Sequence, residues 1–188
     1  KFFLKTLIEN VSFIKKYYNS GIKNSVILNY DEKSDNLFRW YQQLMAESLG
    51  KKSKGIFPII STMPKDNHSL LQLYLDGPRN NFFTFFSVQD KKSPKVNNKN
   101  LFNYFPMLKN KSFNEILISQ KIATEVVFKR KKIPFRSFEI LNRTEESLGE
   151  LFCFFILETI LLGRLFKVDP FDQPSIELVK NETFKILN

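Results

Sequence analysis

Four short runs of almost unbroken apolar character constrain this chain more than any other feature of it. They are NSVILNY (24 to 30), GIFPIIST (55 to 62), NFFTFFSV (81 to 88) and PFRSFEIL (134 to 141). Each is rich in β-branched or aromatic side chains and bounded by turn formers. A run of that kind suits a strand covered on both faces, as in a parallel sheet between helices. Helix-period segments fill the intervals. Ser34 or Asp35 is placed to cap a helix over 36 to 49 with Leu37, Tyr41, Leu44 and Met45 along one side. Asp66 is placed to cap a second, carrying Leu71 and Leu75 and ended by the DGP turn at 76 to 78. FNEILISQKIATEVVFKRKK reads as a third, TEESLGELFCFFILETILLGRLF as a long apolar fourth, and Pro174 opens a last one. The alternation predicts an α/β fold, a three-layer αβα sandwich with a mostly parallel sheet. Its 188 residues suit a single domain over 1 to 188, with 89 to 112 as a long surface connection.

Composition excludes little but weights the choices. The net charge of +10 admits a nucleic acid or an anionic membrane as partner. The lysines are spread through every segment, however, and the densest run, Lys129 to Lys132, closes a helix, where cations suit the carbonyl end of the dipole. Neither nucleic acid nor membrane is expected as a partner. Cys153 is the only cysteine, so an intrachain disulfide is impossible and a cytoplasmic location is expected. The apolar run around it is interrupted by Glu158 and reads as a buried helix.

With one histidine and one cysteine, a metal centre is poorly supported, and no glycine-rich phosphate loop is present. What remains is a set of protic residues near element ends, where open parallel sheets form their ligand crevices. Glu47 falls in the last turn of its helix, where the dipole opposes a second negative charge and Lys51 and Lys52 compensate it, a balance suited to a general base. His68 is expected in the first turn after Asp66, where added positive charge is disfavoured. Gln173 stands at the mouth of the last helix, whose free N–H groups favour a phosphate, and Lys180 lies almost two turns in. Each has an ordinary reading as well: a solvated helix charge, a structural histidine, a plain helix start.

Together the stretches NYDEKSDNLFRWYQQLMAESLGKKSKG, KDNHSLLQLYLDGPRNNFFTF and GRLFKVDPFDQPSIELVK resemble three consecutive blocks of the glucose-6-phosphate isomerase family, in matching order and spacing. That family has two sugar-isomerase (SIS) domains, and these blocks belong to the second, C-terminal one, a flavodoxin-like sandwich. The resemblance implies a sugar phosphate substrate and no cofactor, since aldose–ketose isomerisation is redox neutral and needs no metal. It implies that Glu47 moves a proton between C1 and C2, that His68 opens the sugar ring from the partner subunit of a homodimer, that Lys180 assists ring opening, and that Gln173 lies near the phosphate. Ser175 and Val179 depart from the family's usual small residues but leave Gln173 and Lys180 in register.

The family's serine/threonine-rich phosphate loop and its glycine–arginine block belong to the first SIS domain, and neither is found here. With the lysine start, this leads to the expectation that the chain is the C-terminal part of a longer enzyme and inactive alone. The alternative is a non-catalytic SIS domain that only binds a sugar phosphate. A nucleic-acid binder, motivated by charge alone, ranks third.

Overall fold

The structure, a computed structural model, describes residues 2–188. Its elements follow the order α1 (Phe2–Asn19), β1 (Asn24–Asn29), α2 (Asp35–Leu49), β2 (Phe57–Thr62), α3 (Leu71–Asp76), β3 (Asn81–Val88), α4 (Lys99–Tyr104), α5 (Phe113–Arg130), β4 (Phe135–Ile140), α6 (Glu145–Phe166) and α7 (Pro174–Leu187). The four strands form one sheet in the order β2-β1-β3-β4, with every pairing parallel. Ile27 of the central β1 sits opposite Ile60 on one side and Thr84 on the other.

Because successive strand residues point to opposite faces, the apolar runs divide between two cores. Ile27, Phe82 and Phe86 pack with α1, α2 and α6, while Val26, Leu28, Phe83 and Phe85 pack beneath α3 and α5. The abundant phenylalanine is used ring against ring. Phe128 of α5 meets Phe83 at 4.9 Å and Phe85 at 5.2 Å, both edge to face, the arrangement favoured by aromatic quadrupoles. The layers are thus α1, α2 and α6; the sheet; and α3 with α5. The expected sandwich is present, and its sheet is wholly parallel among the described residues.

Glu158, the charge that interrupts the apolar run of α6, is fully buried and grips Arg136 of β4. Tyr41 Oη donates to Glu158 Oε2 at 2.8 Å, Arg136 Nε donates to Thr84 Oγ1 at 3.0 Å, and Arg136 Nη1 donates to Asn10 Oδ1 at 3.1 Å. One polar network therefore joins α1, α2, α6 and two strands. Burial works against the guanidinium's charge, but the Glu158 carboxylate and the Tyr41 oxygen outweigh it and hold the pKa of Arg136 above its ordinary value. Burial, and after it the Glu158 carboxylate, pushes the Tyr41 hydroxyl well up.

Two local expectations are corrected. Asp66 does not cap a helix: it lies in a 3-10 turn over 65 to 67, and α3 begins only at Leu71. Its Oδ2 instead accepts from Thr62 N (2.9 Å) and Ser61 Oγ (2.8 Å), tying the turn back onto the end of β2. At α2, neither Ser34 nor Asp35 caps with its side chain. Ser34 Oγ donates to Asp31 Oδ2, and Asp35 Oδ1 accepts from Asn29 Nδ2, so both serve the loop after β1. The 89 to 112 connection contains α4 and is closed by a bridge between Lys95 and Ser112. Asn114 Nδ2 donates to the Val88 carbonyl at 3.1 Å and holds the start of α5 against the end of β3. No helix of the described residues is long and apolar enough to cross a membrane.

Candidate active site

Glu47 projects from the last turn of α2, which Gly50 ends by donating its N–H to the Ala46 carbonyl at 3.0 Å. A Cβ at Gly50 would stand 2.6 Å from that carbonyl oxygen, so the tight stop requires glycine. The chain then passes through Lys52 (φ 52°) and Ser53 (φ 56°), both left-handed, before Gly55 (φ 133°) leads it into β2. Non-glycine residues in that region cost about 1–3 kcal/mol each, so the loop needs outside support. Lys54 Nζ donates to the Phe166 carbonyl at 2.8 Å, satisfying the carbonyl end of α6. Lys51 Nζ pairs with Asp172 Oδ1 at 2.8 Å and also donates to the Asp169 carbonyl.

Those contacts bring the start of α7 to the end of α2. Gln173 Nε2 donates to Glu47 Oε2 at 2.8 Å across 126 residues of sequence, and Gln43 Nε2, one turn earlier on α2, donates to Oε1 at 2.9 Å. Each carboxylate oxygen thus accepts one amide N–H and keeps a second lone-pair direction for a proton. Two of the four expected residues, Glu47 and Gln173, are in direct contact. Lys180 lies seven residues further along α7, about 10 Å at a rise of ~1.5 Å per residue. Its Nζ donates to Glu177 Oε1 at 2.7 Å on the same exposed helix.

His68 is elsewhere. It is exposed and ends the 3-10 turn after β2, so the expected helix start is not there. Its turn is fastened to Thr62, whose hydroxyl in turn donates to Asp35 Oδ2 at 3.4 Å at the opening of α2. Glu47 follows Asp35 by twelve residues of α2, about 18 Å of helix. In a parallel sheet a helix after a strand runs back antiparallel to it. Glu47 therefore sits at the amino ends of the strands and His68 at the carboxyl ends. The expected crevice at element ends therefore does not join Glu47 to His68 within one copy of the chain, since Glu47 lies away from the strand carboxyl ends. A cleft of about 810 Å³ does open there, beside the β1/β3 reversal of strand order, lined by Lys33, Phe86, Ile140, Arg143, Thr144 and other residues, but it holds none of the four.

Gln43 and Lys51 were not among the expected site residues, although both flank Glu47. Gln43 carries the i, i+4 spacing that lets side chains meet on a helix. Lys51 belongs to the ESLGK block itself. Among the described residues no group of three or more histidine, cysteine or carboxylate side chains is arranged to hold a metal.

No family model matches the chain. Curated proteins do. A probable glucose-6-phosphate isomerase of Methanococcus maripaludis is 33% identical over 95% of this chain. The glucose-6-phosphate isomerase of Methanocaldococcus jannaschii is 28% identical over 91%, and that of Mycoplasma capricolum 32% over 91%. The chain is a relative of the glucose-6-phosphate isomerases. It spans only 40–42% of the length of these three proteins. Among solved structures, a hypothetical protein from Thermus thermophilus superposes with TM-score 0.89 at 23% identity, covering 96% of this chain and 45% of that one. A glucose-6-phosphate isomerase of Chlamydia trachomatis superposes at 0.75 with 15% identity, over 89% of this chain and 35% of that one. Both establish the shared fold, and the isomerase relatives carry the sequence likeness.

Proposed function

We propose that this chain supplies the base-bearing part of a glucose-6-phosphate isomerase, interconverting glucose 6-phosphate and fructose 6-phosphate in the cytoplasm. In this reading Lys180, with His68 from a second copy of the chain, opens the pyranose ring by moving a proton to the ring oxygen. Glu47 then removes the C2 proton, a cis-enediolate forms as the C1 carbonyl oxygen takes up charge, the proton returns to C1, and the O2 hydroxyl proton passes to O1 as the C2 carbonyl forms. Positioned general base catalysis of this kind contributes about 10²–10⁴-fold. Gln173 lies near the phosphate and, from the same position, orients the base. The observation that carries the reading is the Gln173–Glu47 hydrogen bond: two residues of separate blocks, one expected as base and one as substrate ligand, meet although nothing local joins them. The separation of His68 from Glu47 supports a homodimer whose site draws on both copies.

In the natural full-length protein, Glu47→Gln should lower kcat for this isomerisation by about 10²-fold or more and leave fructose 6-phosphate binding, read by calorimetry, close to native. Equal loss of binding and rate would make Glu47 structural. The 188 residues alone carry no loop read as gripping the phosphate and should show negligible turnover; near-native activity would overturn that part. The second reading, a domain that binds a sugar phosphate without isomerising it, predicts binding and no turnover in the complete protein.

A further inference from the structure

We propose that Lys51 is a positioning residue for the reacting carboxylate: it latches the start of α7 to the end of α2 and so sets the Gln173–Glu47 contact. This deepens the function proposed above and rests on it for its kinetic arm only.

The argument starts from how little else holds α7. None of its residues is buried, and the apolar side chains of Ile176, Leu178, Val179 and Phe184 are all exposed. From Phe171 onward, apart from the local bond that Phe171 N–H donates to Asp169 Oδ1, the side-chain hydrogen bonds and ion pairs to the rest of the described chain are two: Asp172 to Lys51, and Gln173 to Glu47. A lone exposed amide–carboxylate bond is too weak to orient a helix, because water competes for both partners. Lys51 differs from the other lysines of its loop. Its side chain is 8% exposed, and its ammonium is shared between the Asp172 carboxylate and the Asp169 carbonyl. Two contacts three residues apart fix both the position and the direction of the segment leading to Gln173. Pro170 packs on Gly163, where a Cβ would lie 3.2 Å from the ring, and pins the near side of that segment to α6. Lys51 fixes the far side. It touches neither reacting atoms nor Glu47; its effect passes through residues 169 to 173.

The structural arm is read without substrate, on the 188-residue chain, by NMR of the Gln173 side-chain amide at neutral pH. In the native background Glu47→Gln, which removes the carboxylate that Gln173 donates to, should shift these resonances, and that shift is the response read. Lys51→Met removes the charge and keeps the stem, and should abolish the response while the backbone spectrum of the sheet is unchanged. Lys51→Arg should restore it, and Asp172→Asn should reproduce the loss. In the full-length protein Lys51→Met should lower kcat about 10- to 100-fold, the scale of a misplaced catalytic group, with Lys51→Arg recovering most of it. A Gln173 amide that still responds to Glu47→Gln in Lys51→Met overturns the proposal. An amide uncoupled by Lys51→Met in a full-length protein without isomerase activity upholds the latch and refutes the assigned reaction instead.

Discussion

Arg136 and Glu158 form a buried two-pronged ion pair between β4 and α6, in which Nη1 reaches Oε1 and Nη2 reaches Oε2 at 3.1 Å. Tyr41, six residues before Glu47, donates to the same carboxylate, so the helix carrying the candidate base is anchored to the sheet through this pair.

Removing one partner leaves an uncompensated charge in the core. Arg136→Met should destabilise the chain by about 3–5 kcal/mol, measured as a shift in urea midpoint at constant m-value. Adding Glu158→Leu to it should recover most of that loss, because a buried pair exchanged for apolar groups of similar volume is often neutral or better. A double variant no more stable than the single would mean that the network, and not the orphaned charge, carries the energy.

The capping box of α5 predicts a pH dependence. The Ser112 backbone N–H, then Lys111 and the Ser112 hydroxyl, lower the Glu115 carboxyl from 4.5 to about 2. A carboxyl lowered on folding stabilises fully above its unfolded value and loses that contribution as pH falls through its folded value. The melting temperature of Glu115→Gln should therefore lie below wild type above about pH 4.5, and the gap should close toward pH 2. A gap that is constant across that range would remove the ionic part of the cap.

Gly55 stands at φ 133°, and a Cβ there would lie 3.0 Å from Gly50 Cα and 3.1 Å from the Leu49 carbonyl oxygen. Gly55→Ala should cost about 2 kcal/mol by denaturant unfolding. It should also disturb the Lys54–Phe166 contact, visible as lost protection from hydrogen exchange at the end of α6. Gly149, where a Cβ meets nothing within 4 Å, is the control and should accept alanine without loss.

The distance between His68 and Glu47 predicts complementation. Full-length Glu47→Gln and His68→Ala, each inactive alone, should regain about a quarter of wild-type activity when unfolded and refolded together in equal amounts. Half of the dimers are then mixed, and one of their two symmetric sites is intact. If both residues served a site within one copy, mixing would restore nothing.

Much of this fold is legible locally. The strands were expected over 24–30, 55–62, 81–88 and 134–141 and are found at 24–29, 57–62, 81–88 and 135–140. Apolar periodicity is a property of neighbouring residues, and so are the proline that opens α7 and the glycine that ends α2. The motif blocks likewise named Glu47 and Gln173 as residues of one site. Their contact was not legible, nor was the placing of His68 at the opposite end of the sheet. Strand order, the direction in which α2 returns, the partner of Glu158 and the latch at Lys51 all depend on chain segments tens of residues apart closing on one another. Such closures are decided by which faces must be buried together, a condition on the whole chain that no window of sequence contains.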